Sequence, residues 1–112
     1  IMPKRRFLKQ EVFGLVLLDI KNQVIATPPI SKGGLSSSIV HPREVFKIAI
    51  KRSSAATILF HNHPSGEPTP SQDDIKITKR LIKVGEIIGI NVLDHIVIGD
   101  NKFISMKEEE FI

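Results

Sequence analysis

The chain has 112 residues, of which 41% are hydrophobic and 25% charged, which is typical of one globular domain and excludes wholesale disorder. It has no cysteine, which excludes disulfides, a cysteine nucleophile and thiolate metal ligands. The formal charge of +4 permits weak attraction to nucleic acid, and no apolar run reaches the ~20 residues that span a bilayer, so we expect a soluble cytoplasmic domain without membrane contact.

The first third of the chain predicts two strands. These are Val12–Ile20 and Gln23–Ile30, with Lys21-Asn22 as the turn between them. Four successive apolar residues at 15–18 indicate that the first strand is buried on both faces. The glycines and serines between positions 33 and 38 are typical of a loop.

A helix, a strand and a stiff loop follow. Pro42 suits the first position of a helix, and His41 before it is expected to cap the helix. The predicted apolar face of this helix consists of Val45, Phe46, Ala49 and Ile50. A short buried strand is predicted at Ala55–Phe60. The loop Pro64–Pro70 holds three prolines, and its Gly66 is expected to take a positive φ or to pass close to another group.

The second helix has clear start and stop signals. Ser71 offers an N-cap, and Asp74 three residues later completes a pattern close to a capping box. Gly89 suits the residue that ends the helix. The residues expected to be buried are Ile75, Ile82 and Ile88.

The last quarter of the chain predicts a strand hairpin. Asn91–Ile98 is followed by the turn Gly99-Asp100-Asn101 and the partner strand Lys102–Ile104. Ser105–Ile112 is expected to be a short helical turn. We see no internal repeat and no linker, so residues 1–112 are predicted to form one domain with an α/β or α+β fold, a mixed sheet flanked by helices.

Three side chains suggest a metal site. His61 and His63 lie two residues apart, and an extended chain points both imidazoles the same way. Asp74 lies in the first turn of the next helix, where the helix dipole favours its ionised form. Two imidazoles and a carboxylate match a catalytic zinc site with an open position for water, whose pKa zinc lowers towards ~7. The alternatives are a polar loop without metal, or another divalent ion.

Polar neighbours of these residues are expected to play supporting roles. Asn62 and Ser65 are expected to orient ligands or to shape the loop. Asp73 is the weaker ligand candidate because it faces another side of the helix. One of Asp94 and His95 is expected to lie near the site, but neither is counted as a ligand.

The spacing of these residues resembles a known motif. His-x-His, seven residues, Ser, two residues and Asp is the JAMM motif, matched here by His61, His63, Ser71 and Asp74. The chain is more narrowly similar to the RadC subfamily, from about Phe7 to its end. The strings that carry this similarity are His61-Asn62-His63-Pro64-Ser65-Gly66, Pro42-Arg43-Glu44-Val45 and Leu93-Asp94-His95.

The resemblance implies a fold and an activity. JAMM, or MPN-plus, domains have a cytidine-deaminase-like architecture and are zinc metallohydrolases that include isopeptidases. RadC proteins typically carry an N-terminal helix-hairpin-helix region, which we expect to be absent from this chain.

The resemblance also implies roles for single residues. His61, His63 and Asp74 correspond to the zinc ligands. Ser71 corresponds to the residue that helps bind the oxyanion, a role that competes with capping the helix. A glutamate upstream of the motif shuttles the proton. Glu11 precedes the long buried strand and is preferred for this role, and Glu44 on the first helix is the alternative.

The function that follows from the resemblance is a zinc-dependent hydrolase that cleaves an amide bond in a peptide or protein. The repair label of the RadC name suggests an alternative, a DNA-associated module without peptidase activity. Its contact surface would be the basic helix face Lys76, Lys79, Arg80 and Lys83. The cluster Lys4-Arg5-Arg6 with Lys9 is interpreted as a solvated terminus. A non-catalytic scaffold is a third reading, disfavoured because all three ligand types are present.

Overall fold

Six strands and two α-helices make up the part of the chain that the computed structural model describes, residues 10–32 and 40–112. In chain order they are β1 (Val12–Leu18), β2 (Val24–Ala26), β3 (Pro29–Lys32), α1 (Pro42–Lys51), β4 (Ala56–Asn62), α2 (Gln72–Ile88), β5 (Asn91–Ile98) and β6 (Phe103–Ser105). The basic cluster at positions 4–9 and the predicted loop at 33–38 lie outside the described residues.

The strands form one mixed sheet in the order β2-β1-β4-β5-β6, and β3 also pairs with β1. β1 and β4 are antiparallel, β4 and β5 are parallel, and β5 and β6 are antiparallel. A parallel pair needs a long crossover connection, and α2 supplies it. The predicted α+β fold with a mixed sheet is therefore confirmed.

The core lies between the sheet and the two helices. Phe13, Leu15 and Leu17 alternate along β1 and are fully buried in one cluster with residues of both helices, among them Phe46 and Leu81. Residues on the opposite face of β1 are also buried or half-buried. The prediction of a strand buried on both faces is confirmed.

The second predicted strand was wrong in its extent. Residues 23–30 form two short strands, β2 and β3, separated by Thr27-Pro28. Pro28 and Pro29 have no backbone N–H for a ladder, although the Pro28 carbonyl accepts a hydrogen bond from the Leu15 amide at 3.0 Å. The first strand ends at Leu18 because the Asp19 carboxylate accepts hydrogen bonds from the amides of residues 21 and 23 and closes the turn.

The predicted buried faces of the helices need correction. In α1, Val45, Phe46 and Ala49 are buried as expected, but Ile50 is exposed. In α2, Ile75 and Ile82 are only half-buried and Ile88 is exposed. The buried residues of α2 are Asp74, Ile77, Thr78, Leu81 and Gly85. This buried face includes a carboxylate, a hydroxyl and a glycine, so it does not appear as an apolar pattern in the sequence. The prediction from hydrophobic periodicity therefore assigned the wrong face of α2 to the core.

The end of the chain packs through a polar contact. Asp94 accepts hydrogen bonds from the Ser105 hydroxyl at 2.5 Å and from the Lys107 amide at 3.0 Å. β6 begins at Phe103, one residue later than predicted, and residues 106–110 form a turn that buries Met106. Among the described residues, no helix has the length and apolar character needed to cross a bilayer.

Gly85 provides a test of how α2 packs. A Cβ at this position would lie 2.4 Å from the backbone oxygen of Ile90. Alanine in an open helix stabilises by about 1 kcal/mol relative to glycine, whereas overpacking costs about 1–3 kcal/mol. We expect Gly85→Ala to lower the free energy of unfolding in urea titrations, and Glu86→Ala, on the exposed neighbour, to leave it nearly unchanged. A stabilised Gly85→Ala variant would contradict this packing.

Candidate metal centre

The two histidines of the motif lie at the end of β4. This strand runs two residues further than predicted and includes His61 and Asn62. Because side chains alternate along a strand, His61 and His63 point to the same side, and their Nε2 atoms lie 2.9 Å apart. His61 is fully buried, whereas His63 is partly accessible.

Asp74 approaches both histidines from α2. The helix begins just after the loop that leaves β4, and Asp74 lies in its first turn. Its Oδ2 atom is 3.4 Å from Nε2 of His61 and 3.3 Å from Nε2 of His63. The same oxygen accepts a hydrogen bond from the Ser71 amide at 2.8 Å, and the Ser71 hydroxyl accepts one from the Asp74 amide at 3.0 Å. The expected capping box is therefore present and holds Asp74 in place.

Glu11 reaches the histidines through the pairing of β1 with β4. Phe13 pairs with His61 in the antiparallel ladder, so Glu11, two residues earlier, lies on the same side of the sheet near the end of β4. Its Oε2 atom is 3.6 Å from Nε2 of His61. Asn62 holds the backbone on both sides of Glu11, because it accepts a hydrogen bond from the Val12 amide and donates one to the carbonyl of residue 10.

Glu44 lies elsewhere. Its side chain is 51% exposed on α1, and its carboxylate is 3.9 Å from Arg43 Nε. The structure thus brings Glu11, and not Glu44, to the histidines.

The four side chains fit a metal ion. Glu11, His61, His63 and Asp74 each offer one ligand atom, and these atoms all lie within 4.8 Å of one another. Burial would raise the pKa of Asp74, but hydrogen bonds with His61 and His63 outweigh burial and hold that pKa well below its usual range. Asp74 in turn raises the pKa of His63. An ionised, buried carboxylate beside two imidazoles is a donor set that suits a divalent transition-metal ion, zinc among them.

Both imidazoles have a partner on the ring nitrogen that faces away from the group. His63 Nδ1 donates to the Glu67 carbonyl at 2.8 Å, and His61 Nδ1 lies 2.7 Å from Nε2 of His95. Such partners orient ligating histidines and their ring protons. Of the two neighbours singled out in the sequence, His95 therefore lies at the site and is fully buried, whereas Asp94 has a structural role.

Thr78 was not predicted from the sequence to lie near the metal centre. It is fully buried, and its Oγ1 atom lies 2.6 Å from Nδ1 of His95. Its position four residues after Asp74, one helical turn further along the same face, is the one signal in the sequence that points to it.

Ser71 is exposed and caps α2 as an acceptor. A hydroxyl that accepts still has its own proton to donate, so capping the helix and binding an oxyanion are compatible.

The other polar residues that the sequence singled out lie outside the metal centre. Asp73 is exposed and is not among the four converging side chains. His41 is the N-cap residue of α1, but its side chain makes no capping hydrogen bond. The Ser65 hydroxyl accepts a hydrogen bond from the Glu67 amide at 3.4 Å within the loop.

The proline-rich loop is braced against the β5–β6 turn. Gly66 has φ of +90°, and its carbonyl accepts a hydrogen bond from the Asp100 amide at 2.8 Å. A Cβ at Gly99 would lie 2.3 Å from that carbonyl oxygen, so the two segments can approach only with glycine there. This loop joins His63 to Ser71, so bracing it fixes the path from the two histidines to Asp74.

The fold is that of a JAB domain, and comparison with known proteins agrees with it. A family model described as RadC-like JAB domain matches residues 1–111, and the chain belongs to this family. It is 62% identical over its whole length to a UPF0758 protein of Desulforamulus reducens and 58% identical to one of Geobacillus thermodenitrificans. The chain spans about half of these relatives, 49% and 50% of their lengths.

Metal content is the first property to measure. We expect about one zinc ion per chain by mass spectrometry after zinc is supplied and excess removed. His61→Ala and Asp74→Asn should each lose it, whereas Asp73→Asn, the same change on the exposed neighbour, should retain it. Because a ligand that binds only the folded state stabilises it, zinc at 100 times its Kd should add about 2.7 kcal/mol to the free energy of unfolding. Equal zinc in all three variants would contradict the assignment.

Proposed function

We propose that this chain is a zinc-dependent amide hydrolase, a peptidase or isopeptidase that acts on a peptide or protein. The observation that supports it is the convergence of Glu11, His61, His63 and Asp74, whose ligand atoms lie within 4.8 Å of one another. In this proposal His61, His63 and Asp74 hold the metal. Glu11 is left for proton transfer, because its side chain is the most exposed of the four, at 26%.

The chemistry is divided between the metal and the chain. Bound zinc supplies Lewis acidity at the scissile carbonyl and makes hydroxide accessible at neutral pH. Glu11 accepts a proton from the attacking water as the C–O bond forms, and returns it to the amine as the C–N bond breaks. The backbone of Glu11 is held by Asn62 on both sides, which limits the positions that its carboxylate can take.

Exposure indicates the side from which substrate approaches. His61 and Asp74 are buried, whereas Glu11 and His63 are partly accessible and Ser71 is exposed. A carbonyl that enters from this side meets the Ser71 hydroxyl. That hydroxyl would donate a hydrogen bond to the oxyanion while its oxygen continues to accept the hydrogen bond that caps α2.

Glu11→Gln separates metal binding from catalysis. The amide keeps the size of the side chain but cannot accept a proton, so we expect zinc to be retained and turnover to fall about 100-fold or more. Turnover is measured as new amino termini released from a random peptide library, detected by mass spectrometry. Glu44→Gln, the matched change on α1, should retain the parental rate. A Glu11→Gln variant as active as the parent would remove Glu11 from the mechanism.

A second candidate function is nucleic-acid binding by α2. The observation that favours it is the exposure of four basic residues at helical spacing on the helix that begins at the metal centre. These residues are Lys76, Lys79, Arg80 and Lys83.

Salt dependence tests this candidate. Binding through phosphates predicts affinity for a fluorescent DNA duplex that falls steeply as salt rises. Lys79→Glu with Arg80→Glu should abolish binding in anisotropy titrations. Lys47→Glu with Lys51→Glu, the same charge change on α1, should weaken it much less. No binding at low salt, or equal loss in both double variants, would refute a dedicated surface on α2.

A further inference from the structure

A chain of three short contacts connects His61 and Asp74 behind the metal centre. His61 Nδ1 lies 2.7 Å from His95 Nε2, and His95 Nδ1 lies 2.6 Å from Thr78 Oγ1. Thr78 Oγ1 lies 2.6 Å from the backbone carbonyl oxygen of Asp74. All four residues are buried, so each of these contacts lies in the interior of the domain.

The carbonyl at one end sets the direction of the hydrogen bonds. A carbonyl oxygen can only accept a hydrogen bond. The single O–H of Thr78 is therefore used in the hydrogen bond to the backbone carbonyl of Asp74. Thr78 Oγ1 is then an acceptor for the N–H at Nδ1 of His95. An imidazole with its proton on Nδ1 has a lone pair on Nε2, and this lone pair accepts from Nδ1 of His61.

Metal binding by His61, at the other end of the chain of contacts, requires the same direction of the hydrogen bonds. A histidine that ligates through Nε2 carries its proton on Nδ1, and a buried N–H needs an acceptor. Nε2 of His95 is that acceptor. We infer that Thr78 and His95 are positioning residues that select the His61 tautomer with a lone pair on Nε2, an inference that rests on the proposed metal centre.

Loss of the hydroxyl has a specific consequence. Without Thr78 Oγ1, the N–H at Nδ1 of His95 has no acceptor, so the tautomer with the proton on Nε2 is no longer disfavoured. In that tautomer the N–H at Nε2 of His95 donates a hydrogen bond to Nδ1 of His61, which must then have a lone pair. His61 therefore carries its own proton on Nε2, the atom that faces the metal. Zinc must then displace a proton that the intact chain keeps away.

Thr78→Val tests the chain of contacts, because valine keeps the shape of threonine and removes the hydroxyl. We expect zinc affinity, measured by competition with a chromophoric chelator, to fall about 10–100-fold. Thr78→Ser restores the hydroxyl and should bind within about twofold of the parent.

Thr57→Val is the matched control. Thr57 is also fully buried, and its hydroxyl donates to the Val16 carbonyl at 3.0 Å, on β4 but away from the metal centre. It should lose stability to a similar extent and keep parental zinc affinity.

The tautomer itself can be read in the parent without any substitution. Two-bond ¹H–¹⁵N correlations of the zinc-loaded 112-residue chain should show a protonated Nδ1 and a ligating Nε2 for His61. They should also show the proton of His95 on Nδ1. Ligation of His61 through Nδ1, or a proton on Nε2 of His95, would overturn the inference even if Thr78→Val does not fold.

The affinities separate the two hypotheses. If the parent binds zinc and Thr78→Val binds it as tightly as Thr57→Val, the role of Thr78 is refuted and the proposed function stands. If the parent binds no zinc, the proposed function fails, and the inference fails with it.

Discussion

The carboxylate of Asp74 is the group on which the rest of the site depends. Its Oδ2 atom accepts a hydrogen bond from the Ser71 amide, which caps the start of α2. The same oxygen faces Nε2 of His61 and of His63. One side chain therefore determines both where the helix begins and where one of the candidate ligands lies. Burial opposes a charge at this position, and the two imidazoles compensate for it, which lowers the pKa of Asp74.

Strand pairing decides the other half of the site. Glu11 is 50 residues from His61 along the chain, yet the antiparallel register of β1 and β4 places their side chains together. A slip of one residue would turn Glu11 to the other face of the sheet. Asn62, between the two histidines, binds the backbone on both sides of Glu11 and so resists such a slip.

Local signals made much of the fold and site predictable. The mixed α+β fold, the cap at Ser71, the left-handed Gly89 and the positive φ of Gly66 all follow from patterns within a few residues. The rotation of α2 was not predictable in this way. Its buried face includes Asp74, Thr78 and Gly85, which are placed by hydrogen bonds and a close backbone contact that hydrophobic periodicity does not register.

The sequence by itself determined which ligand types are available and how they are spaced, because His61, His63 and Asp74 lie within 14 residues joined by a stiff loop. Only the tertiary structure brought Glu11, and not Glu44, to the histidines, and only it placed His95 and Thr78 behind His61. The physical reason is that these contacts join separate strands and a helix. Their partners are set by sheet register and helix rotation, which depend on the packing of the whole domain.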